Sequence, residues 1–390
     1  MLFGFVIVAY VIMQAGVSLL TEYSLGKGGI GRELFRKTRA VRLIIYIALA
    51  LLPCLGALLP ENEIKFTCMK WGNLWLGYFI YYAGMLLILS GIAAIVCKIR
   101  KDSEKKIFSR ILYCVTVFAA VITVCGLIHA QRPQVVTYDA DTGKNSGKTL
   151  KVVLIADLHL SVNSVPETTE KIVEMINSCE ADVVVIAGDI FTSNYAGLKD
   201  PDRYSAALSK IEAKYGVYAV AGNHDVDENL FGGFSISPVS KAFRTNDMEN
   251  FFADCGFKML YDEYAEIGDT GAVLIGRIDG EKAGDGTTDR KSEEEIMAGH
   301  DPDKLNIVLQ HEPMGYEGLA KNGADIVLSG HTHDGQLFPG NLVVPFFNEN
   351  AYGYKVLHGM PTVVTAGTGY YGPPMRVGTN SEITVVNISY

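Results

Sequence analysis

Four long stretches without a charged side chain crowd the first third of this 390-residue chain, over residues 2–20, 43–59, 73–97 and 111–130. A helix needs about 20 predominantly apolar residues to cross the hydrocarbon core of a bilayer. Soluble core helices rarely lack charge over such lengths, so four membrane-spanning helices are expected. The first stretch lacks the basic start and the small-residue cleavage site of a signal peptide, so it reads as a retained span.

Charge orients the spans. The segment between the first two carries Lys27, Arg32, Arg36, Lys37, Arg39 and Arg42, and that between the third and fourth carries Lys98, Arg100, Lys101, Lys105, Lys106 and Arg110. The remaining loop offers Lys65 and Lys70. Lys- and Arg-rich loops stay in the cytoplasm, which puts both ends of the chain outside a multi-pass cell-membrane protein. Trp71, Trp75, Tyr78, Tyr81 and Tyr82 are expected to form an interfacial aromatic belt.

The charge balance reverses after the fourth span. Residues 1–132 hold 15 Lys and Arg against 6 Asp and Glu, a net of +9, whereas residues 133–390 hold 19 against 37, a net of −18. So acidic a domain lacks the cationic surface that nucleic-acid binding needs. Domains at 1–132 (membrane) and 133–390 (soluble) follow. Of the seven cysteines, Cys179 and Cys255 fall in the acidic part. Neither has the spacing of a zinc or redox motif, and pairing between them is open.

The acidic part alternates strand-like and helix-like segments. "QVVTYDADTGKNSGKTLKVVLIAD" reads as two strands and a turn, and "PETTEKIVEMINSC" and "RYSAALSKIEAKYG" read as helices. "DVVVIAG", "VYAVAG", "AVLIGRI", "NIVLQ", "DIVLSG", "TVVTAG" and "ITVVNI" read as strands buried on both faces. Such alternation means an α/β domain. The polar, glycine-rich run Gly280–Glu295 is expected to be a mobile surface loop.

Polar residues collect where the strands stop. The apolar runs lead into Asp157-Leu158-His159, Asp189, Asn223-His224-Asp225, His311 and His331-Thr332-His333. Five strands of one sheet ending this way would bring these groups to one edge, where α/β sheets bind ligands. Carboxylate, imidazole and amide oxygen without thiolate suit Mn²⁺, Fe or Zn²⁺. Seven such donors, Asp157, His159, Asp189, Asn223, His311, His331 and His333, are too many for one tetrahedral ion and suit two divalent ions sharing a carboxylate. His331 and His333 on one turn can then face different ions, and Gly330 keeps the approach open.

In order and spacing, "DLH" at 157–159, "GD" at 188–189, "GNHD" at 222–225, "QHEP" around His311 and "GHTH" at 330–333 resemble the calcineurin-like metallophosphoesterases. The closing "GTGYYGPPMRVGTNSEITVVNI" and the preceding spans are similar to the membrane-associated branch of that family. The resemblance implies a two-sheet sandwich flanked by helices, preceded here by four transmembrane helices. It implies that Asp157, His159 and His333 hold one ion, that Asn223, His311 and His331 hold the other, and that Asp189 bridges them. It implies His224 as general acid, with Asp225 orienting His224 or the loop behind it. The family's second Asp of GDxxD is replaced by Thr192, and Asp334 follows "GHTH" where that branch often has glycine, adding negative charge at the mouth.

The expected function is therefore hydrolysis of a phosphodiester or pyrophosphate, lipid- or nucleotide-linked, by metal-activated hydroxide at the outer face of the bilayer. The alternative is a membrane sensor or scaffold that binds a phosphorylated ligand without turnover. Arg376 is read either as a contact to substrate phosphate or as a salt-bridge partner. Glu228–Val239, with Phe231 and Phe234 between glycines, is read as an ordinarily packed loop, with a membrane-touching lid as the other reading. His129, His300 and His358 read as interface or loop histidines.

Overall fold

The computed structural model describes residues 2–26, 36–100, 105–193 and 195–390. Lys27, Arg32 and Lys101 lie outside the described residues. The chain divides into two compact units, and each is taken by itself.

The first unit comprises residues 1–127, 230–236 and 372–374. Its helices are α1 (Leu2–Gly26), α2 (Arg39–Leu58), α3 (Glu63–Arg100) and most of α4 (Lys105–Ala130). All four are long and apolar enough to cross a membrane. Helix α3 runs 38 residues, longer than its apolar stretch, because no proline or glycine pair interrupts it. The cluster expected as an aromatic belt is mostly packed inside this unit, with Tyr78 half-buried. Trp71 is exposed, but Trp75, Tyr81 and Tyr82 are buried, and Trp75 packs edge-on against Tyr46 and stacks on Phe79. These rings fill the bundle interior, where large side chains supply the packing. At the end of α1, Glu22 pairs with Arg39 at 3.1 Å and Arg42 at 3.0 Å. The hairpin β5 (Leu230–Phe231) and β6 (Phe234–Ser235) belongs to this unit: Phe231 is buried against Tyr10, Cys54 and Leu76. Phe231 is thus packed and Phe234 partly exposed.

The second unit is an α/β sandwich. One sheet runs β1 (Gln134–Asp141), β14 (Glu382–Ser389), β2 (Thr149–Ile155), β3 (Val183–Ala187), β4 (Val217–Val220), β7 (Lys258–Met259). The other runs β12 (Gly353–Leu357), β13 (Met360–Val364), β11 (Ile326–Ser329), β10 (Leu305–Leu309), β9 (Ala272–Gly276), β8 (Glu263–Glu266). Both are mixed; β2, β3, β4 and β7 are parallel, as are β9, β10, β11 and β13. Strands β1 and β2 are close in sequence, yet β14 lies between them, parallel to β1 and antiparallel to β2.

Period-two alternation builds the layers. Val152 and Leu154 point into the core shared with Leu274, Ile307 and Leu328 of the other sheet. Val153 and Ile155 point the opposite way, to a core with α5 (Pro166–Asn177), α6 (Pro201–Leu208) and α7 (Asn246–Asp254). Short helices α8 (Glu293–Met297) and α9 (Tyr316–Lys321) cover the outer face of the second sheet. Helix α6 stops at Leu208, well short of the helical pattern read to Gly216, because Ser209–Ile211 closes with turn hydrogen bonds. Gly280–Glu295 runs along the surface, with Glu281, Asp285, Thr288, Asp289 and Lys291 exposed, but it is anchored. Lys282 and Ala283 are buried, and the run ends in the Ser292/Glu295 capping box of α8.

Candidate metal centre

The polar strand ends meet, but they come from two sheets rather than one. Strands β2, β3 and β4 of the first sheet deliver Asp157, His159, Asp189 and Asn223, and β10 and β11 of the second deliver His311, His331 and His333. The edges of the two sheets are joined at this point: His331 N–H donates to Asp157 Oδ2 at 3.1 Å, and Thr368 N–H, from the loop after β13, donates to the Ala156 carbonyl.

Donor atoms fall into two overlapping groups. In one, His159 Nε2 lies 3.0 Å from His333 Nε2, and His333 Nε2 lies 3.3 Å from Asp157 Oδ1. In the other, His311 Nε2 lies 3.1 Å from Asn223 Oδ1 and 3.2 Å from His331 Nδ1. Asp189 Oδ2 stands between them, 3.6 Å from His159 Nε2 and 3.1 Å from His311 Nε2. Donors about 2.1 Å from a shared ion lie roughly 3.0–3.4 Å apart, so this spacing fits divalent metals. Asp157, His159 and His333 form one set of convergent donors, and Asp157, Asp189 and His311 another.

The surroundings fix which atoms face inward. His311 Nδ1 lies 2.7 Å from the Ala187 carbonyl, which only accepts, so Nδ1 holds the proton and Nε2 faces the cluster. Thr192 Oγ1 lies 2.9 Å from His159 Nδ1. The residue that departs from the family pattern therefore orients a donor. Asn223 Nδ2 donates to Glu281 at 2.8 Å, which turns Oδ1 toward His311.

Electrostatics follow from burial and crowding. Burial would raise the Asp157 carboxyl, but His333 and His311 hold it down at about 2. Burial opposes charge at His311 too, yet Asp189 and Asp157 hold its imidazole well above the usual value. His331, buried beside His311, is pushed down to about 4. In a site with this many imidazoles around two carboxylates, protons would compete with any bound metal.

Backbone conformation is unusual at the same residues. Asp157, His159, Asp189, His331 and His333 all have positive φ, between 47° and 73°. Non-glycine residues rarely adopt this region, and such outliers cluster at functional sites. Glycines make room between them: a Cβ on Gly330 would come within 2.8 Å of Asp157 Oδ2, and one on Gly222 within 2.2 Å of Asp189 Oδ1.

Residues 150–335 match the sequence profile of the calcineurin-like phosphoesterases. The chain belongs to that family. It is 31% identical over 301 residues to a Bos taurus protein named transmembrane protein with metallophosphoesterase domain, covering 73% of this chain and 63% of that one. The Danio rerio protein of the same name is 32% identical, covering 69% and 60%. An uncharacterized metallophosphoesterase of Campylobacter jejuni is 27% identical, covering 73% and 72%. The chain thus spans less than two thirds of the length of the cattle and zebrafish relatives.

Around the candidate donors lie His224 and Asp225 and, with no role expected of them from the sequence, Glu228, Lys282 and Tyr371. His224 N–H donates to Asp189 Oδ1 at 2.8 Å, and the His224 ring packs 4.5 Å from Tyr371. Its Nδ1 faces Glu228 at 3.4 Å, and buried Glu228 is held by Lys282 Nζ at 2.8 and 2.9 Å and by Ser193 at 3.0 Å. Asp225 does not reach His224. Its carboxylate accepts from the Phe191 and Gly222 amides, both at 2.8 Å, and clamps the loop behind. Burial first, then Asp189, raises the Asp225 carboxyl to about 7.

Arg376 serves neither expected purpose. It is 1% exposed, and its guanidinium donates to the carbonyls of Ala366 at 2.6 Å, Gly369 at 2.8 Å, Gly367 at 3.1 Å and His333 at 3.1 Å. Its approach to His333 Nδ1, at 3.3 Å, is longer. It knits the loop after β13 to the His333 turn. Asp334 is partly buried, and burial with Glu382 lifts its carboxyl to about 6. His129, His300 and His358 lie outside the cluster, bonded to Asn380, the Met297 carbonyl and Glu349. Cys179 and Cys255 are both free thiols.

Proposed function

We propose that this chain is a membrane-anchored, dinuclear-metal hydrolase of phosphoester bonds, with residues 1–132 as its membrane part and 133–390 as its hydrolase domain. The observation that carries the proposal is the position of Asp189 Oδ2 between two donor groups, within 3.6 Å of both. Asp157, His159 and His333 would hold one divalent ion, and Asn223, His311 and His331 the other, with Asp189 common to both. Mn²⁺, Fe and Zn²⁺ all suit these donors. When bound, such a pair supplies a water acidified to near neutral pH and positive charge for the phosphoryl oxygens.

The chain's own residues do the rest. His224 protonates the leaving oxygen, a contribution that matters most for a poor alkoxide leaving group. Glu228, held by Lys282, faces Nδ1 of that ring at 3.4 Å and helps to set its plane. Tyr371 packs against the ring and limits its motion. The substrate class is a phosphodiester or pyrophosphate, lipid- or nucleotide-linked. The basic segments preceding α2 and following α3 support an extracytoplasmic domain. Cys179, half-buried, is the probe: an impermeant maleimide should label it in intact cells, whereas labelling only after permeabilisation would reverse the topology.

The decisive assay uses the full chain in detergent with Mn²⁺ and bis(p-nitrophenyl) phosphate. Turnover that disappears in Asn223→Ala and His311→Ala is expected. Wild-type protein that binds Mn²⁺ yet hydrolyses neither this diester nor p-nitrophenyl phosphate would instead indicate a sensor or scaffold.

A further inference from the structure

The segment directly after the His333 turn carries large apolar side chains on its outside. Phe346 is 84% and Phe347 81% exposed, and Leu342, Val343 and Phe338 are about half exposed or more. Residues 337–348 contain no charged side chain, within a region of net charge −18. Exposed apolar clusters of this kind mark interaction sites on soluble surfaces. The backbone is already folded on itself: Gly340 N–H donates to the Leu337 carbonyl, Leu342 to Pro339 and Phe347 to Val344. Such internal bonding lowers the cost of moving a segment out of water.

The root of the segment is tied to the end of the last membrane helix. The apolar window of α4, Arg110–Ala130, is 21 residues long. At 1.5 Å per residue that is roughly 31 Å, about the thickness of a hydrocarbon core, so Ala130 emerges at an interface. The last turn of α4, from Ile128, belongs to the second unit. There His129 Nε2 bonds to the Thr379 carbonyl at 3.1 Å and Asn380 at 2.9 Å, and Ser381 Oγ donates to the Ala130 carbonyl. Thr379 Oγ1 in turn donates to the Gln336 carbonyl at 2.8 Å. Phe338 N–H donates to the Val377 carbonyl, and Val377 N–H to that of Gln336. One short strip, Val377–Ser381, therefore grips both the emerging helix and the base of the apolar segment.

We propose that Leu337–Phe347 inserts into the surface of the bilayer that α4 crosses, so that the metal centre opens beside lipid head groups. The occupant is lipid rather than a second copy, because the helix holding the strip leaves the segment no more than a few residues from the interface. The inference concerns a surface and stands apart from the hydrolase reading, since its readout needs no turnover.

The test uses the full-length protein, one copy per nanodisc, in phosphatidylcholine containing a lipid with a diazirine high on its acyl chain. After irradiation and digestion, lipid adducts are expected on α4 peptides and also on the peptide spanning 337–348. Labelled α4 with an unlabelled 337–348 peptide overturns the proposal. Phe346→Ser/Phe347→Ser should cut adducts on that peptide at least fivefold while leaving adducts on the α4 peptides unchanged. Adducts persisting at wild-type yield in this variant also overturn it, since tethering alone would explain them. So does a segment that, in discs holding two copies, cross-links to the other copy and takes up no lipid.

Discussion

Gly330→Ala tests how tightly the donor cluster is built. The added Cβ would stand 2.5 Å from Ala156 Cβ, 2.8 Å from Asp157 Oδ2 and 3.4 Å from the Ala187 carbonyl. Carbon atoms ordinarily approach to about 3.5–4.0 Å, so something must move by roughly 1 Å. Ala156 is fully buried between the sheets, and its Cβ has no free direction. The Asp157 carboxylate, which also accepts from His331 N–H at 3.1 Å, is the part that yields. Metal sites tolerate about 0.2 Å in donor distance, so the displaced carboxylate stops being a donor. Overpacking itself costs about 1–3 kcal/mol, which leaves a domain of this size folded. Isothermal titration with Mn²⁺ should show one of two sites weakened by 10-fold or more. A shift of about 1 Å in the reacting geometry should lower kcat/KM for bis(p-nitrophenyl) phosphate by about 100-fold. A variant that melts cooperatively and keeps wild-type Mn²⁺ stoichiometry, affinity and turnover would refute the reasoning, for the model of one convergent site would then be wrong.

Four further outcomes are expected. Thr192→Val removes the hydroxyl that orients His159 and should weaken Mn²⁺ by about 10-fold, read by titration calorimetry. Glu228→Gln should slow an alkyl phosphodiester by about 10-fold or more and a p-nitrophenyl ester far less, because general-acid help is worth about 10²–10⁴ only for poor leaving groups. Lys282→Met takes the ammonium partner from buried Glu228, at a cost of about 3–5 kcal/mol in chemical denaturation, of which Glu228→Gln/Lys282→Met should recover part. In chelator-treated protein His311 carries a raised value: burial opposes it, but Asp189 prevails. Its stabilising effect is then fully present below pH 6.5 and lost as pH rises through the folded value, by at most about 1.4 kcal/mol per pH unit. Melting curves with saturating Mn²⁺ should show the opposite trend, because the metal requires the neutral ring.

The sequence carried the strands because buried strands are apolar without interruption, and it carried the donors because each apolar run stops abruptly at Asp, Asn or His. Nothing local says which sheet a strand joins. The insertion of β14 between β1 and β2 depends on pairings between residues more than 200 apart. Glu228 lay within reach: it stands four residues after His224, and an acid at that distance from a candidate proton donor is a readable signal. Glu281 and Lys282 were hidden by the glycine-rich composition around them, which resembles a solvated loop although both touch the site. The role of Arg376 in the loop was not legible, because its partners are backbone carbonyls, and a carbonyl has the same identity at every position.

The positive φ values explain why the donors are arranged on turns. A left-handed conformation costs a non-glycine residue about 1–2 kcal/mol, and five of the seven candidate donors adopt it. Glycine would relieve each position but would delete the donor itself. Asp and His are thus retained against local preference, and the tightly packed sheets on either side must hold them there. The neighbouring glycines, Gly188, Gly222 and Gly330, sit where a Cβ would collide with His311, Asp189 or Asp157. Strain falls on the residues that must carry chemistry, and space is yielded by residues that carry none. A domain that merely needed a buried ion pair would have no reason to keep that division at three turns drawn from two separate sheets.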